Sequence, residues 1–262
     1  MADLMKGKRG LIMGVANERS IAWGIASVLA AEGAEMAFTY QGEGFGKRLR
    51  PLAESVGSSL VIPADVQDEA SLDTVFETLE KEWGGLDFLV HAIAYSDKEE
   101  LAGKFIDTTR RNFLNSLDIS CYSFVDVARR AAPLMKNGGS MITLTYMGSQ
   151  RVQPNYNVMG VAKAALESTV RYLANDLGPD GIRVNAVSPG PMKTLAGSAI
   201  GDARKVFRTI GENAPMRSNA TLEAVGGTAM YLMSDYGAYT TGEVIFVDGG
   251  YHVMGMLQSE NI

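Results

Sequence analysis

One segment of the chain, residues 145 to 163, reads TYMGSQRVQPNYNVMGVAK and indicates both a fold and a chemistry. A helix is predicted to begin near its middle, where Asn155 or Asn157 can act as the N-cap. Seven helical residues fall about 20° short of two turns, so Tyr156 and Lys163 share one helix face. An ammonium group near a phenol lowers the pKa of the phenol and makes it a better acid. The segment therefore predicts proton chemistry, although a surface tyrosine and a surface lysine would show the same spacing.

Short apolar runs alternate with helical patterns on both sides of this segment. The predicted helices include residues 71–83 and a long stretch over 108–135, and no repeat or linker divides residues 1–262. Such alternation predicts an α/β fold in one domain, a Rossmann-like doubly wound parallel sheet of seven strands with helices on both faces. The predicted strands are 9–13, 34–39, 58–62, 86–93, 140–145, 182–188 and 244–247.

Polar and small residues follow the predicted strands and mark one edge of the sheet. Ligands of such sheets bind outside the carboxyl ends of the strands. The first of these turns carries Gly14 and opens a helix near Ser20, where free N–H groups can hold a pyrophosphate. This shared edge favours a functional role for Tyr156 and Lys163 over a plain surface. The residues at or just after strand ends are Gly14, Gln41, Asp65, Ile93, Tyr146 and 188–190.

Composition and charge exclude several classes of protein. The chain has 262 residues, of which 46% are hydrophobic and 21% charged, as in ordinary globular proteins. Its net charge of -6 argues against binding a nucleic-acid backbone. No apolar run reaches about 18 residues, so no membrane span is predicted, and no cluster has metal-ligand spacing. The one cysteine, Cys121, cannot form an internal disulfide, and a cytoplasmic location is expected.

The connection after the sixth strand is longer than usual and rich in small residues. Residues 189–208 hold Gly, Ala, Ser and Thr with few long apolar side chains. Such a segment at the carboxyl end of a strand predicts a mobile substrate-binding lid around 192–208, with a plain surface excursion as the alternative. His91 and Cys121 lie among apolar residues and are interpreted as packing rather than catalytic groups.

The end of the second strand predicts the choice of dinucleotide. An acidic residue at this position accepts the 2′-hydroxyl of NAD, whereas a nearby arginine accommodates the 2′-phosphate of NADP. The strand ends at Gln41, which is neutral, and Glu43 would repel a phosphate. The next cations along the chain are Lys47 and Arg48. NADH is therefore expected in preference to NADPH.

Four features resemble the short-chain dehydrogenase/reductase family over nearly the whole chain. They are the N-terminal turn, the helix with Tyr156 and Lys163, the turn at 188–191 and the end at 248–250. The chain departs from the usual pattern, because Met159 stands four residues before Lys163, where the family places its tyrosine. His-Ala-Ile-Ala at 91–94 also replaces the usual Asn-Asn-Ala-Gly. With segments 154–160, 163–164, 190–191 and 194–196, these departures resemble the bacterial NADH-dependent enoyl-acyl carrier protein reductases.

The resemblance implies a reaction and a set of site residues. NADH would deliver a hydride to the β-carbon of a trans-2-enoyl thioester carried by acyl carrier protein. Tyr156 would donate a hydrogen bond or proton to the enolate oxygen, Lys163 would hold the nicotinamide ribose, and Tyr146 would orient the thioester. The acyl channel would be lined by Met159, Ala196 and Val206. The dinucleotide would be held by Gly14, Ser20, Ile21, Gln41, Asp65, Val66, Ile93, Lys163, Met192 and Thr194.

Other implications of the resemblance concern assembly and alternatives. Relatives of this branch are homotetramers, so a homo-oligomer is expected. Ala203 stands where the branch often has a bulky aromatic residue, which leaves the preferred acyl chain open. Two rival functions remain, a carbonyl or alcohol dehydrogenase and a non-catalytic dinucleotide sensor. The shifted Tyr156 and the Tyr146 segment argue against the first, and the intact pair of Tyr156 and Lys163 argues against the second.

Overall fold

A seven-stranded sheet organises the protein, and the predicted fold class is confirmed. The computed structural model describes residues 3–198 and 201–262. Every strand pairs in parallel, in the order β3-β2-β1-β4-β5-β6-β7, so the direction of winding reverses between β1 and β4. In chain order the strands are β1 (Arg9–Met13), β2 (Glu35–Tyr40), β3 (Val61–Pro63), β4 (Phe88–His91), β5 (Gly139–Leu144), β6 (Ile182–Pro189) and β7 (Val244–Val247).

Helices cover both faces of this sheet and bury it between two apolar layers. Along β1, Leu11 and Met13 face one layer and Ile12 faces the other, as the alternation of strand side chains requires. The first layer is formed with helices α3, α6 and α7, and the second with α1, α2 and α10. The helices are α1 (Ile21–Ala31), α2 (Glu43–Ser55), α3 (Glu69–Trp83), α4 (Lys98–Leu101), α5 (Arg110–Leu117), α6 (Ser123–Ala131), α7 (Asn157–Leu177), α8 (Leu195–Ser198), α9 (Ala203–Asn213) and α10 (Leu222–Met233).

The predicted long helix over 108–135 is interrupted. Between α5 and α6 the backbone forms a π-helical turn, Asp118–Tyr122, and a short 3₁₀ helix, Ala132–Leu134, follows α6. The Ser123 hydroxyl donates to the carbonyl of Ile119 at 2.6 Å and lies 2.8 Å from the His91 ring, so it connects this turn to the end of β4. Widened turns of this kind occur often at functional sites.

The predicted N-cap of α7 is wrong. Tyr156 itself occupies the N-cap position, and no side chain caps the helix. Asn155 and Asn157 both adopt positive φ, at 60° and 34°. The amide of Asn157 instead donates to the carbonyl of Glu100 at 3.2 Å, so it connects α7 to α4. Within residues 3–198 and 201–262, no helix combines the length and the apolarity that a membrane crossing requires.

Candidate active site

The turn after β1 is shaped by a glycine that no other residue can replace without strain. Gly14 has φ +98°, and a Cβ atom there would lie 2.1 Å from the carbonyl oxygen of Ala92, beyond the end of β4. The Ser20 hydroxyl accepts hydrogen bonds from the backbone N–H groups of Ala16 and Asn17, at 2.9 and 3.1 Å. Ser20 therefore stabilises the turn rather than capping α1.

The start of α1 keeps donors free for an anion. In the described part of the chain, neither Ile21 nor Ala22 has a hydrogen-bond acceptor for its backbone N–H. The first N–H groups of a helix form a ready anion site because the helix dipole adds to them. The turn thus fits a pyrophosphate, as predicted, although it lacks the usual glycine-rich spacing.

The ends of β2 and β3 bring two predicted dinucleotide residues together. The side-chain amide of Gln41 donates to the carboxylate of Asp65 at 2.9 Å. The same carboxylate accepts from the backbone N–H of Gln67 at 3.0 Å. Val66 and Ile93 are half-buried and pack against the layer that holds α3, α6 and α7. The predicted residues therefore occupy one continuous edge of the sheet.

Tyr146 and Tyr156 form an aromatic pair at the same edge. Their ring centroids are 5.1 Å apart with the planes inclined at 68°. Met159 packs with this pair in a small cluster, and its sulfur lies 3.8 Å from the Ser120 hydroxyl. The structure thus brings the three predicted substrate residues of this region together. The sequence did not single out Ser120 as a functional residue. Its hydroxyl accepts from the backbone N–H of Tyr95 at 2.9 Å and donates to the carbonyl of the same residue at 3.1 Å.

The predicted lowering of the Tyr156 pKa is wrong. Burial raises the pKa of the Tyr156 phenol, and the neighbouring Tyr146 and Glu167 raise it further. Burial also raises the pKa of Tyr146, to about 12. Taking the phenolate out of water is costly, so burial is the largest cause of the shift at Tyr156. Both tyrosines therefore keep their protons at neutral pH and are hydrogen-bond donors.

Lys163 lies on the buried side of α7 and faces the end of β5. Its ammonium group donates to the carbonyl of Leu144 at 2.8 Å, rather than to Tyr156. Burial lowers the pKa of Lys163 to about 8, and the charges of Cys121 and Glu167 act in the opposite direction. Lys163 is consequently protonated at neutral pH but loses its proton in mildly alkaline solution.

The predicted lid is partly helical. It contains α8 and the first half of α9, where Val206 is half-buried. The Thr194 hydroxyl accepts from the N–H of Gly197 at 2.9 Å, and Met192 packs against the layer with α1 and α10. Residues 199 and 200 of the lid, and the side chain of Ala196, lie outside the described residues.

His91 is a core residue, as interpreted from the sequence. It is fully buried, with its ring nitrogens 3.2 Å from the Thr143 hydroxyl and 2.8 Å from that of Ser123. Burial lowers the pKa of His91 to about 3, and the charge of Lys163 contributes to this shift. Cys121 is half-exposed rather than buried, with its sulfur 3.4 Å from the Thr169 hydroxyl. Among residues 3–198 and 201–262 no group of acids, histidines or cysteines could hold a metal.

Glu167 is a second residue at this edge, besides Ser120, that sequence reasoning missed. Its side chain is 5% exposed and its carboxylate accepts from the hydroxyls of Thr145 and Ser149. A signal was present, because an acid at i+4 from Lys163 shares the inward face of the helix. Inward acids are rare in amphipathic helices unless they are paired.

Comparison with known proteins points to one family. The protein-family model described as enoyl-(acyl carrier protein) reductase matches residues 14–252. A Rhizobium meliloti protein named enoyl-[acyl-carrier-protein] reductase [NADH] 2 is 59% identical, over 98% of this chain and 96% of its own. The Anaplasma phagocytophilum reductase, solved in complex with NAD, has 56% identity and a TM-score of 0.94, with 97% of each chain covered. The Bacillus cereus reductase, solved with NADP⁺ and indole naphthyridinone, has 49% identity and a TM-score of 0.95, covering 97% of this chain and 99% of that one.

Proposed function

The chain belongs to the enoyl-acyl carrier protein reductase family, and from that premise we propose that it reduces the trans-2 double bond of an enoyl thioester in fatty-acid biosynthesis. The observation that carries this proposal is the aromatic pair of half-buried Tyr146 and buried Tyr156 at the sheet edge where Lys163 is held by the Leu144 carbonyl. Acyl carrier protein would present the thioester. A cytoplasmic location stays a prediction drawn from cysteine usage.

The sheet edge fits a nicotinamide dinucleotide. The N–H groups of Ile21 and Ala22, which have no acceptor in the described part of the chain, suit its pyrophosphate, and Gly14 lets the turn before them pack against the backbone of Ala92. Gln41 and Asp65 would hold the adenosine end, and Lys163 the nicotinamide ribose. When bound, NADH supplies the hydride that adds to the β-carbon of the thioester. The remaining proposed contacts are Ser20, Val66, Ile93, Met192 and Thr194.

The residues of the chain stabilise the charge that develops on the thioester oxygen. Tyr156 keeps its proton because burial raises its pKa, so its hydroxyl is available as a donor to the enolate oxygen. A donor already fixed in a water-poor site needs no reorganisation when that charge appears. Tyr146 would hold the thioester against this hydroxyl, while Met159, Ala196 and Val206 would line the acyl channel.

One assay tests this function against its rivals. The purified protein is mixed with NADH and crotonyl thioester, with NADH and a ketone, and with NADH alone. We expect NADH oxidation with the thioester only. Oxidation with the ketone only would support a carbonyl or alcohol dehydrogenase, and tight NADH binding without turnover would support a sensor.

The choice of dinucleotide gives a prediction at the end of β2. Arg50 lies beside this strand end, where its guanidinium donates to the Tyr40 hydroxyl at 2.8 Å and to Glu43 at 3.0 Å. An arginine paired in this way has less positive charge to offer a 2′-phosphate. We therefore expect kcat/KM with one enoyl thioester to be higher for NADH than for NADPH.

Two variants locate the origin of this preference. Glu43→Gln releases Arg50 and is expected to lower the ratio of kcat/KM for NADH to that for NADPH by about tenfold. Glu54→Gln, at an exposed acid on the same helix, should leave the ratio unchanged. A wild-type ratio below one would overturn the preference, and Lys47→Ala and Arg48→Ala would then identify the phosphate ligand.

The lid is predicted to become ordered on ligand binding. Every residue of 192–208 whose burial is described is exposed or half-buried, and the Lys193 ammonium group lies 4.7 Å from the ring centroid of Phe207. Segments with few buried apolar contacts open locally at low free-energy cost. We expect amide exchange over 192–208 to slow by about tenfold or more when NAD and an acyl analogue bind. Equally slow exchange in the free and bound protein would contradict a mobile lid.

A homotetramer is proposed as the working assembly. A mostly apolar groove between α6 and α7 is lined by Val125, Ala165, Leu173 and Tyr172, of which Tyr172 is 72% exposed, and by the polar residues Ser168, Thr169 and Asp176. Exposed apolar grooves of this kind mark interaction surfaces. Light scattering is expected to give a mass close to four chains, whereas a stable monomer at micromolar concentration would refute the assembly.

A further inference from the structure

A buried carboxylate on α7 collects hydrogen bonds from one short segment. Glu167 Oε1 accepts from the Thr145 hydroxyl at 2.7 Å and from the Ser149 hydroxyl at 2.5 Å. Its other oxygen lies 3.4 Å from the side-chain nitrogen of Gln150. Burying a carboxylate is costly unless several donors replace its water, so these bonds account for its place in the interior.

The same segment is held a second time, one helical turn away. Lys163 donates to the carbonyl of Leu144, next to Thr145 in the chain. Together the two α7 side chains fix residues 144–150 to the helix on both sides of Tyr146. The Tyr146 ring is the one that packs edge-on against Tyr156.

We propose that Glu167 is a positioning residue for the reductase reaction, which fixes the 145–150 segment and thereby holds the Tyr146 ring against Tyr156. This inference rests on the proposed function. Glu167 acts through Tyr146 and not by touching the reacting atoms. Displacing a substrate-orienting ring by about 1 Å can slow catalysis by about a hundredfold, so a modest loosening has a measurable effect.

The charge of Glu167 has a second consequence that a purely structural role would lack. It raises the pKa of Lys163 against the effect of burial. Among the other titratable groups near Lys163, Cys121 also raises the pKa of Lys163, and His91 is neutral because its own pKa is about 3. Removing the Glu167 charge should therefore lower the pKa of Lys163, so the lysine loses its proton at lower pH.

The test uses Glu167→Gln in the full chain, with Asp180→Asn as the control. Asp180 is an exposed acid just after α7, so its variant removes one negative charge without touching the segment. In Glu167→Gln we expect kcat with crotonyl thioester to fall about tenfold at a pH where Lys163 keeps its proton. The midpoint at which NADH affinity declines with rising pH should move to lower pH. The control should match the wild type in both measurements.

Hydrogen exchange gives a readout that needs no substrate. The N–H groups of Ser149, Gln150 and Arg151 are hydrogen-bonded to the carbonyls of Tyr146 and Met147. Glu167→Gln is expected to speed their exchange about tenfold in the ligand-free protein. Unchanged exchange together with kcat within about twofold of the wild type would overturn the proposal.

A second variant covers the case in which Glu167→Gln does not fold. Ser149→Ala removes one donor and leaves the charge, so we expect lower kcat and faster exchange with an unchanged pH midpoint. Wild-type kcat in Ser149→Ala would then refute the positioning role. Failure of the proposed function would look different, because the wild type itself would not reduce the enoyl thioester while the exchange measurement still reports on Glu167.

Discussion

Replacing Tyr156 by Phe is expected to lower kcat with an enoyl thioester by about 10²-fold to 10³-fold, the effect of removing one oxyanion donor. Affinity for NADH should stay within about twofold of wild type, because the variant keeps the ring that packs on Tyr146. Stopped-flow turnover and NADH titration measure the two quantities. Tyr236→Phe is the control, since Tyr236 is 73% exposed.

Lys163→Ala should behave differently, because the lysine is proposed to hold the cofactor. We expect both NADH affinity and turnover to fall about tenfold or more. In the wild type, NADH affinity should decline as the pH rises through about 8, where Lys163 loses its proton. That decline should be absent from Lys163→Ala. If Tyr156→Phe and Lys163→Ala lost NADH affinity equally, the assignment of cofactor binding to Lys163 and of charge stabilisation to Tyr156 would be wrong.

Much of the fold followed from simple periodicity, because a parallel sheet is buried on both faces. β4 shows this clearly, since all four of its residues, FLVH, are buried and its first three form a continuous apolar run. The ends of strands were harder to place. The third strand begins at Val61 rather than at residue 58, because pairing with β2 and not hydrophobicity determines where a strand starts.

The candidate site could be predicted as a list of residues but not as a set of interactions. Helical spacing predicted that Tyr156 and Lys163 share one face without saying whether it is buried, and strand ends correctly grouped Gln41 with Asp65. Spacing carries no information about depth, so it gave the wrong direction for the Tyr156 pKa. Glu167 escaped notice because its donors lie 17 to 22 residues away in the chain.

Replacing Gly14 by Ala is expected to lower the free energy of unfolding by about 2–4 kcal/mol. Two causes add at this position. A non-glycine residue at φ +98° is strained, and its Cβ would meet the Ala92 carbonyl at 2.1 Å. That carbonyl belongs to backbone, which cannot turn away as a flexible side chain would, so β1 and β4 must separate where the pyrophosphate would bind. NADH affinity should therefore fall about tenfold or more in the folded fraction.

Two other glycines separate the two causes of this instability. Gly57 has φ +76° with no atom within 4 Å of a built Cβ, so Gly57→Ala should show strain alone, about 1 kcal/mol. Gly44 has neither feature and lies in α2, so Gly44→Ala should be neutral or stabilise by about 0.5–1 kcal/mol. Thermal midpoints at one protein concentration rank the three variants. If Gly14→Ala were no less stable than Gly57→Ala, the contact with Ala92 would not be what requires glycine at position 14.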